Sequence, residues 1–82
     1  MSKIIVYSTP SCPYCGLVKD YLKGKNVKFE EKDVSQDRMA AREMIEKSGE
    51  MGVPQIDING TIIVGFNRDA IEQELRRING DF

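Results

Sequence analysis

The sequence predicts one small α/β domain in the order β-α-β-α-β-β-α, with a four-stranded mixed sheet and helices on both faces. Three observations predict it. A continuous apolar run, Ile4 to Tyr7, has the character of a fully buried strand. Apolar residues then recur at helical spacing in three separate places. Ahead of the last of these, Asn59-Gly60 joins two short apolar segments, and both residues accept the positive φ that a type I′ hairpin turn demands.

Taken in order, the first strand ends shortly before Cys12, and the first helix carries Leu17, Val18, Tyr21 and Leu22 on one face. Gly24, in "KGKN", is placed to end it as a left-handed C-terminal cap. In "VKFEEKDV", Val27 and Phe29 alternate with Lys28 and Glu30, the period of a second strand. Ser35 is the expected cap of the second helix, with Asp37 in its first turn, where a carboxylate complements the helix dipole. The apolar face is then Ala40, Ala41, Met44 and Ile45, and "SGEMGVP" ends the helix. Ile56 and Ile58 alternate with Gln55 and Asp57 in a third strand, and Thr61 to Val64 form its hairpin partner. Ala70, Ile71, Leu75 and Ile78 mark the last helix. The first β-α-β unit is expected to be parallel and right-handed, and the hairpin to extend the same sheet antiparallel.

The 82 residues read as a single domain, 1–82, near the lower size at which one core holds without staples. Twelve Lys and Arg against thirteen Asp and Glu leave a net charge of −1. That balance argues against nucleic acid as the main partner, because phosphate binding requires a strong basic excess. No apolar run approaches the roughly 18 residues of a membrane span, and no charged segment leads into a signal-like apolar one. The expectation is a cytoplasmic protein whose thiols are kept reduced. With no His in the chain, His metal sites and His general bases are excluded.

Cys12 and Cys15, the only cysteines, stand at the junction of the first strand and first helix, with Pro13 and Tyr14 between them. Pro13 suits the first helical position, whose N–H has no intrahelical partner in any case. Cys12 then falls at the N-cap, before the free N–H groups and the positive end of the helix dipole. A thiolate is stabilised there, so the pKa of Cys12 is expected below that of a free thiol. Cys15, one turn inside, is shielded and expected to stay protonated longer. The pair reads as an attacking thiol and a resolving thiol that close a reversible disulfide. Three other readings remain. A structural disulfide would staple only a four-residue loop. Half of a zinc site needs two more ligands, which only a second chain supplies. Two inert core thiols are poorly served by Pro and Tyr at a helix start. The redox reading accounts for the most features.

These residues resemble the glutaredoxins, in the thioredoxin-fold superfamily. "CPYC" matches the family's dithiol motif, "CPYCGLVK" adds Lys19 four residues after Cys15, and "GVPQI" resembles its T-V-P-x-I segment. The resemblance covers essentially the whole chain. It implies the thioredoxin fold, a cis peptide before Pro54, and Pro54 facing the cysteines. It implies thiol–disulfide oxidoreductase activity, in which Cys12 attacks a protein disulfide or a glutathione mixed disulfide and Cys15 resolves it. Pro13, Tyr14 and Pro54 would support the pair. Thr9, Tyr14, Val53, Pro54, Gly65, Phe66 and Asn67 would contact glutathione, the reducing co-substrate, with no metal and no bound cofactor. The implied setting is a cytoplasmic monomer that meets glutathione and disulfide-bearing proteins. On spacing alone, Lys19 reads as a solvated helix residue, Tyr14 as a surface ring and Val53-Pro54 as a turn.

The chain also departs from the family pattern. Thr9 stands where a Lys or Arg is frequent, Gly52 replaces the Thr, and "VGFNRD", Val64 to Asp69, keeps one glycine of the G-G-x-D-D segment. Lys47 is the candidate replacement for the missing basic residue. The phrase "GFNRDAI" is closer to the G-F-R-P-D segment of NrdH-type redoxins, which implies thioredoxin reductase as an alternative electron donor and ribonucleotide reductase as the acceptor. A glutathione-bridged iron–sulfur carrier, two chains sharing a cluster through Cys12, is a further alternative.

Overall fold

The computed structural model describes residues 4–79. Its elements are β1 (Ile4–Ser8), α1 (Pro13–Gly24), β2 (Glu30–Asp33), α2 (Arg38–Ser48), β3 (Gln55–Ile58), β4 (Thr61–Val64) and α3 (Arg68–Asn79). The sheet is ordered β2-β1-β3-β4. β1 runs parallel to β2, with Val6 opposite Glu31, and antiparallel to β3, with Val6 opposite Ile56. β3 and β4 close the antiparallel hairpin. This is the mixed sheet and element order that the sequence predicts.

Strand alternation divides the core into two layers. Ile4, Val6, Ile56, Ile58 and Ile63 meet Val18 and Leu22 of α1 and Ile71 and Leu75 of α3. Ile5 and Tyr7 point to the other face, under Ala40 and Met44 of α2. Each fully buried aliphatic side chain contributes roughly 1.5–3 kcal/mol by area. Because α2 covers the second face, the polar positions of β3 are buried too: Gln55 is 0% and Asp57 6% exposed.

Several boundaries differ from expectation. Gly24 does not turn left-handed; the α1 cap is Lys25 at φ −88°, and Asn26 takes the positive φ of 58°. The Lys25 N–H still reaches the Tyr21 and Leu22 carbonyls, so the winding continues past Gly24, and Asn tolerates the left-handed region. Val27 and Phe29 precede β2, because the ladder with β1 begins at Glu30; both still pack on the core. Asp37, not Ser35, caps α2, its carboxylate accepting the Ala40 N–H at 3.1 Å. Ser35 is occupied in the preceding turn, where its N–H and hydroxyl both donate to Asp33. Leu17 and Ile45 are exposed, since the buried stripes are Cys15-Val18-Leu22 and Ala40-Met44. Asn59 and Gly60 adopt φ of 54° and 101°, as the hairpin turn requires. The side chain of Ile78 lies outside the described residues. Among the described residues, no helix is long and apolar enough to cross a membrane.

Candidate active site

The chain leaves β1 at Ser8 and turns through Thr9, whose carbonyl accepts the Cys12 N–H at 3.2 Å. Cys12 is the N-cap of α1, extended at φ −90° and ψ 112°, and Pro13 opens the helix as the sequence predicts. The Cys12 side chain makes no capping bond, so its sulfur is left free at the positive end of the helix. Opposite runs the segment that enters β3. The Val53-Pro54 peptide is cis, and the Cys12 thiol donates to the Val53 carbonyl with Sγ 3.7 Å from the oxygen. The buried Pro54 offers its own carbonyl to the Gly65 N–H at 2.8 Å. Gly65 does this at φ 83°, a conformation that costs glycine nothing. The Val53-Pro54 segment is therefore bonded to Cys12 on one side and to Gly65 on the other.

The two thiols are free and unequal. Cys12 is partly exposed, whereas Cys15 is 1% exposed. Burial pushes the Cys15 thiol up to about 11, and the hydrogen bond and charge of Cys12 add to the rise; the Thr9 backbone and the Lys19 ammonium oppose it. Lys19 is more than a solvated helix residue. Its ammonium is anchored across to β2 by Glu31 at 2.9 Å, and the Ser8 hydroxyl donates to the same carboxylate at 3.4 Å.

The remaining site candidates are gathered only in part. Thr9 and Val53 flank Cys12, and Tyr14 lies 59% exposed in the first turn of α1. Phe66 is instead half-buried, packed on the core and edge-on to Tyr21 with ring centroids 6.2 Å apart. Asn67 caps α3, its side-chain oxygen accepting the Ala70 N–H at 3.2 Å. Phe66, Asn67, Arg68, Asp69 and Glu72 line an open pocket of about 440 Å³ at the start of that helix.

Lys47, the candidate basic residue, is engaged within the protein. Its ammonium meets Asp57 at 2.6 Å, donates to the Tyr7 hydroxyl at 3.0 Å and lies 3.5 Å from Glu43. Burial by itself would lower its pKa, but the bonds to Asp57 and Tyr7 outweigh that effect and raise it. Gln55, which no motif in the sequence singles out, is bonded into the segment before Val53. Its Nε2 donates to the carbonyls of Glu50 at 3.0 Å and Gly52 at 2.8 Å. A polar residue directly after a proline, in a strand covered on both faces, was the available signal.

Comparison with known proteins decides the family. The glutaredoxin family model matches residues 4–63. The chain belongs to the glutaredoxin family. It is 45% identical over 74 residues to a glutaredoxin-like 8.6 kDa protein in the rubredoxin operon of Clostridium pasteurianum, covering 90% of this chain and 99% of that one. It is 37% identical over 65 residues to glutaredoxin 3 of Escherichia coli K12, covering 79% of this chain and 78% of that one. Among solved structures, a thioredoxin-like protein superposes with a TM-score of 0.84 at 36% identity, over 88% of this chain and 99% of that one. The chain is thus a glutaredoxin-like redox protein with a thioredoxin fold. The matched span contains Cys12, Cys15 and Val53-Pro54 and stops before Gly65, where "GFNRD" begins.

Proposed function

We propose that the chain is a dithiol oxidoreductase that reduces protein disulfides and glutathione mixed disulfides and is itself re-reduced by glutathione. One observation carries this reading: a partly exposed Cys12 at the N-terminus of α1, set against Val53, with Cys15 buried behind it. The Cys12 thiolate attacks one sulfur of the substrate disulfide. A mixed disulfide forms, and the other sulfur leaves as a thiolate. Cys15, once deprotonated, attacks the Cys12 sulfur. The substrate departs as a second thiolate, and the two cysteines are left as a disulfide. Two glutathiones then return two electrons and become glutathione disulfide. The cycle uses no metal and no bound cofactor.

Tyr14, Pro54 and Gly65 shape the groove. The Val53 backbone suits the cysteinyl unit of glutathione. Arg68 suits a carboxylate, and Asp69 and Glu72 suit an ammonium, in the pocket at the start of α3. A cytoplasmic monomer fits this role. A second reading is favoured by Lys47. Because its ammonium is held by Asp57 and Tyr7, Lys47 does not restore the basic side chain missing at Thr9. That loss suits a redoxin served by thioredoxin reductase and feeding ribonucleotide reductase.

A redox titration against glutathione buffers, beside NADPH-coupled assays with each reductase, separates the two. The expected potential is above about −250 mV, between glutaredoxin pairs near −200 to −230 mV and thioredoxin near −270 mV, with glutathione-driven turnover of a small mixed disulfide. A thioredoxin-like potential, no glutathione turnover and fast reduction by thioredoxin reductase would assign the second reading.

A further inference from the structure

We propose that Gln55 is a positioning residue: its buried amide holds the segment before Val53 in place, and so favours disulfides carried on an extended peptide over small free ones. The proposal rests on the reading of Cys12 as the attacking thiol.

Glu50, Met51 and Gly52 belong to no helix or strand and are all exposed, so burial does not hold them. Two polar side chains do. Ser48 accepts the Glu50 N–H at 3.0 Å, while its own hydroxyl donates back to the Met44 carbonyl at 2.9 Å. Gln55, 0% exposed at the start of β3, uses its Nε2 group on the carbonyls of Glu50 and Gly52 at 3.0 and 2.8 Å. The next residue is Val53, whose carbonyl lies 3.7 Å from the Cys12 sulfur. The Gln55 amide therefore sets the height of Val53 opposite the reacting thiol without touching the thiol itself.

The other half of the amide supports this. Gln55 Oε1 is buried with no hydrogen-bond partner among the described residues. A buried unpaired acceptor destabilises a fold. A linear apolar side chain of similar length would avoid that cost while filling the same space. The structure keeps the amide regardless, and its two donated bonds are the visible return.

Selectivity follows from what Val53 offers. The β1–β3 ladder begins with Tyr7 opposite Gln55, so Val53 lies just beyond the paired sheet. Neither its N–H nor its carbonyl has a backbone partner among the described residues. An extended peptide can pair there as an added strand. A small disulfide has no backbone to pair and does not depend on where Val53 sits.

The test is Gln55→Met, assayed with two probes. One is an unstructured peptide whose single cysteine is disulfide-linked to thionitrobenzoate; the other is bis(2-hydroxyethyl) disulfide. The expected result is a peptide KM raised about tenfold with kcat held within about twofold, as for loss of ground-state binding. The reaction of the pre-reduced protein with the small disulfide, followed without glutathione so that no glutathione mixed disulfide meets Val53, stays within about twofold of the unsubstituted protein. An unchanged peptide KM, or equal losses toward both probes, would overturn the proposal. If Gln55→Met does not fold, the unsubstituted protein still decides: the Gln55 Nε2 protons should exchange slowly by NMR, and exchange as fast as an exposed amide overturns it. Exchange activity that survives Cys12→Ser would instead overturn the reading of the site, and this proposal with it.

Discussion

Resolution by Cys15 is expected to accelerate about tenfold per pH unit through the neutral range, because the attacking species is the thiolate. With burial pushing Cys15 up to about 11 in the reduced protein, only a small minority of molecules holds that thiolate at neutral pH. Formation of the mixed disulfide changes the surroundings of Cys15. The Cys12 sulfur is then part of a disulfide and presents neither its thiol hydrogen bond nor its charge, two of the causes that raise Cys15. Burial remains, opposed by the Thr9 backbone and Lys19. The pKa of Cys15 therefore falls when its target appears. The assay loads Cys12 with thionitrobenzoate and follows release of the coloured thiolate by stopped flow from about pH 6 to about pH 10, the span over which a thiol titrates. Cys15→Ser is the blank. A logarithmic slope near one, with a plateau below the value of the reduced protein, is the expected outcome. A rate that does not change with pH would show that Cys15 is already ionised, and would refute the reasoning.

Lys19→Met removes a cation that lowers Cys15; a partly exposed charge of this kind is worth about 0.3–1 kcal/mol, so thionitrobenzoate release should slow about two- to fivefold at pH 7 while alkylation of Cys12 is unchanged. Lys47→Met leaves the buried Asp57 carboxylate with the Gly60 N–H but without its cation. A fully buried pair broken this way costs about 3–5 kcal/mol. With the Lys47 side chain 31% exposed, about 1–3 kcal/mol is expected, read as a lowering of Tm by roughly 5–20 °C. Tyr7, raised by burial, Cys15, and Lys47, raised despite burial, all hold their protons more tightly in the folded state. Their contribution is full below the unfolded pKa values of about 8.5 to 10.4 and is lost as pH rises through the folded ones, so the urea midpoint should fall above about pH 8.5; a flat or rising midpoint would contradict it. Cys12→Ser should abolish all exchange, whereas Cys15→Ser should keep turnover of glutathione mixed disulfides and lose reduction of protein disulfides. The reverse pattern would exchange the roles of the two thiols.

What the sequence by itself determined is what depends on neighbours along the chain. Pro13 opens α1, and so Cys12 is its N-cap, because a proline fixes φ and lacks the N–H that the first turn does not use. Asn59-Gly60 folds the hairpin because both residues tolerate positive φ. Hydrophobic period set the element order. Choices between two good local candidates were less legible. Ser35 and Asp37 both suit a helix cap, and Asp37 takes the role because Ser35 is already bonded to Asp33 at the end of β2. The chemistry around the thiols lies further from local reading. Val53 reaches Cys12 across 41 residues, and it does so because β3 pairs antiparallel with β1, an arrangement that no local preference encodes. Lys19 finds Glu31 only once β2 lies parallel to β1. Gln55 and Asp57 carry the polar signature of a solvated strand face, and α2 buries them. That burial turns the Gln55 amide onto the Glu50 and Gly52 carbonyls and the Lys47 ammonium onto Asp57, since a buried carboxylate or amide must find its partners inside the protein.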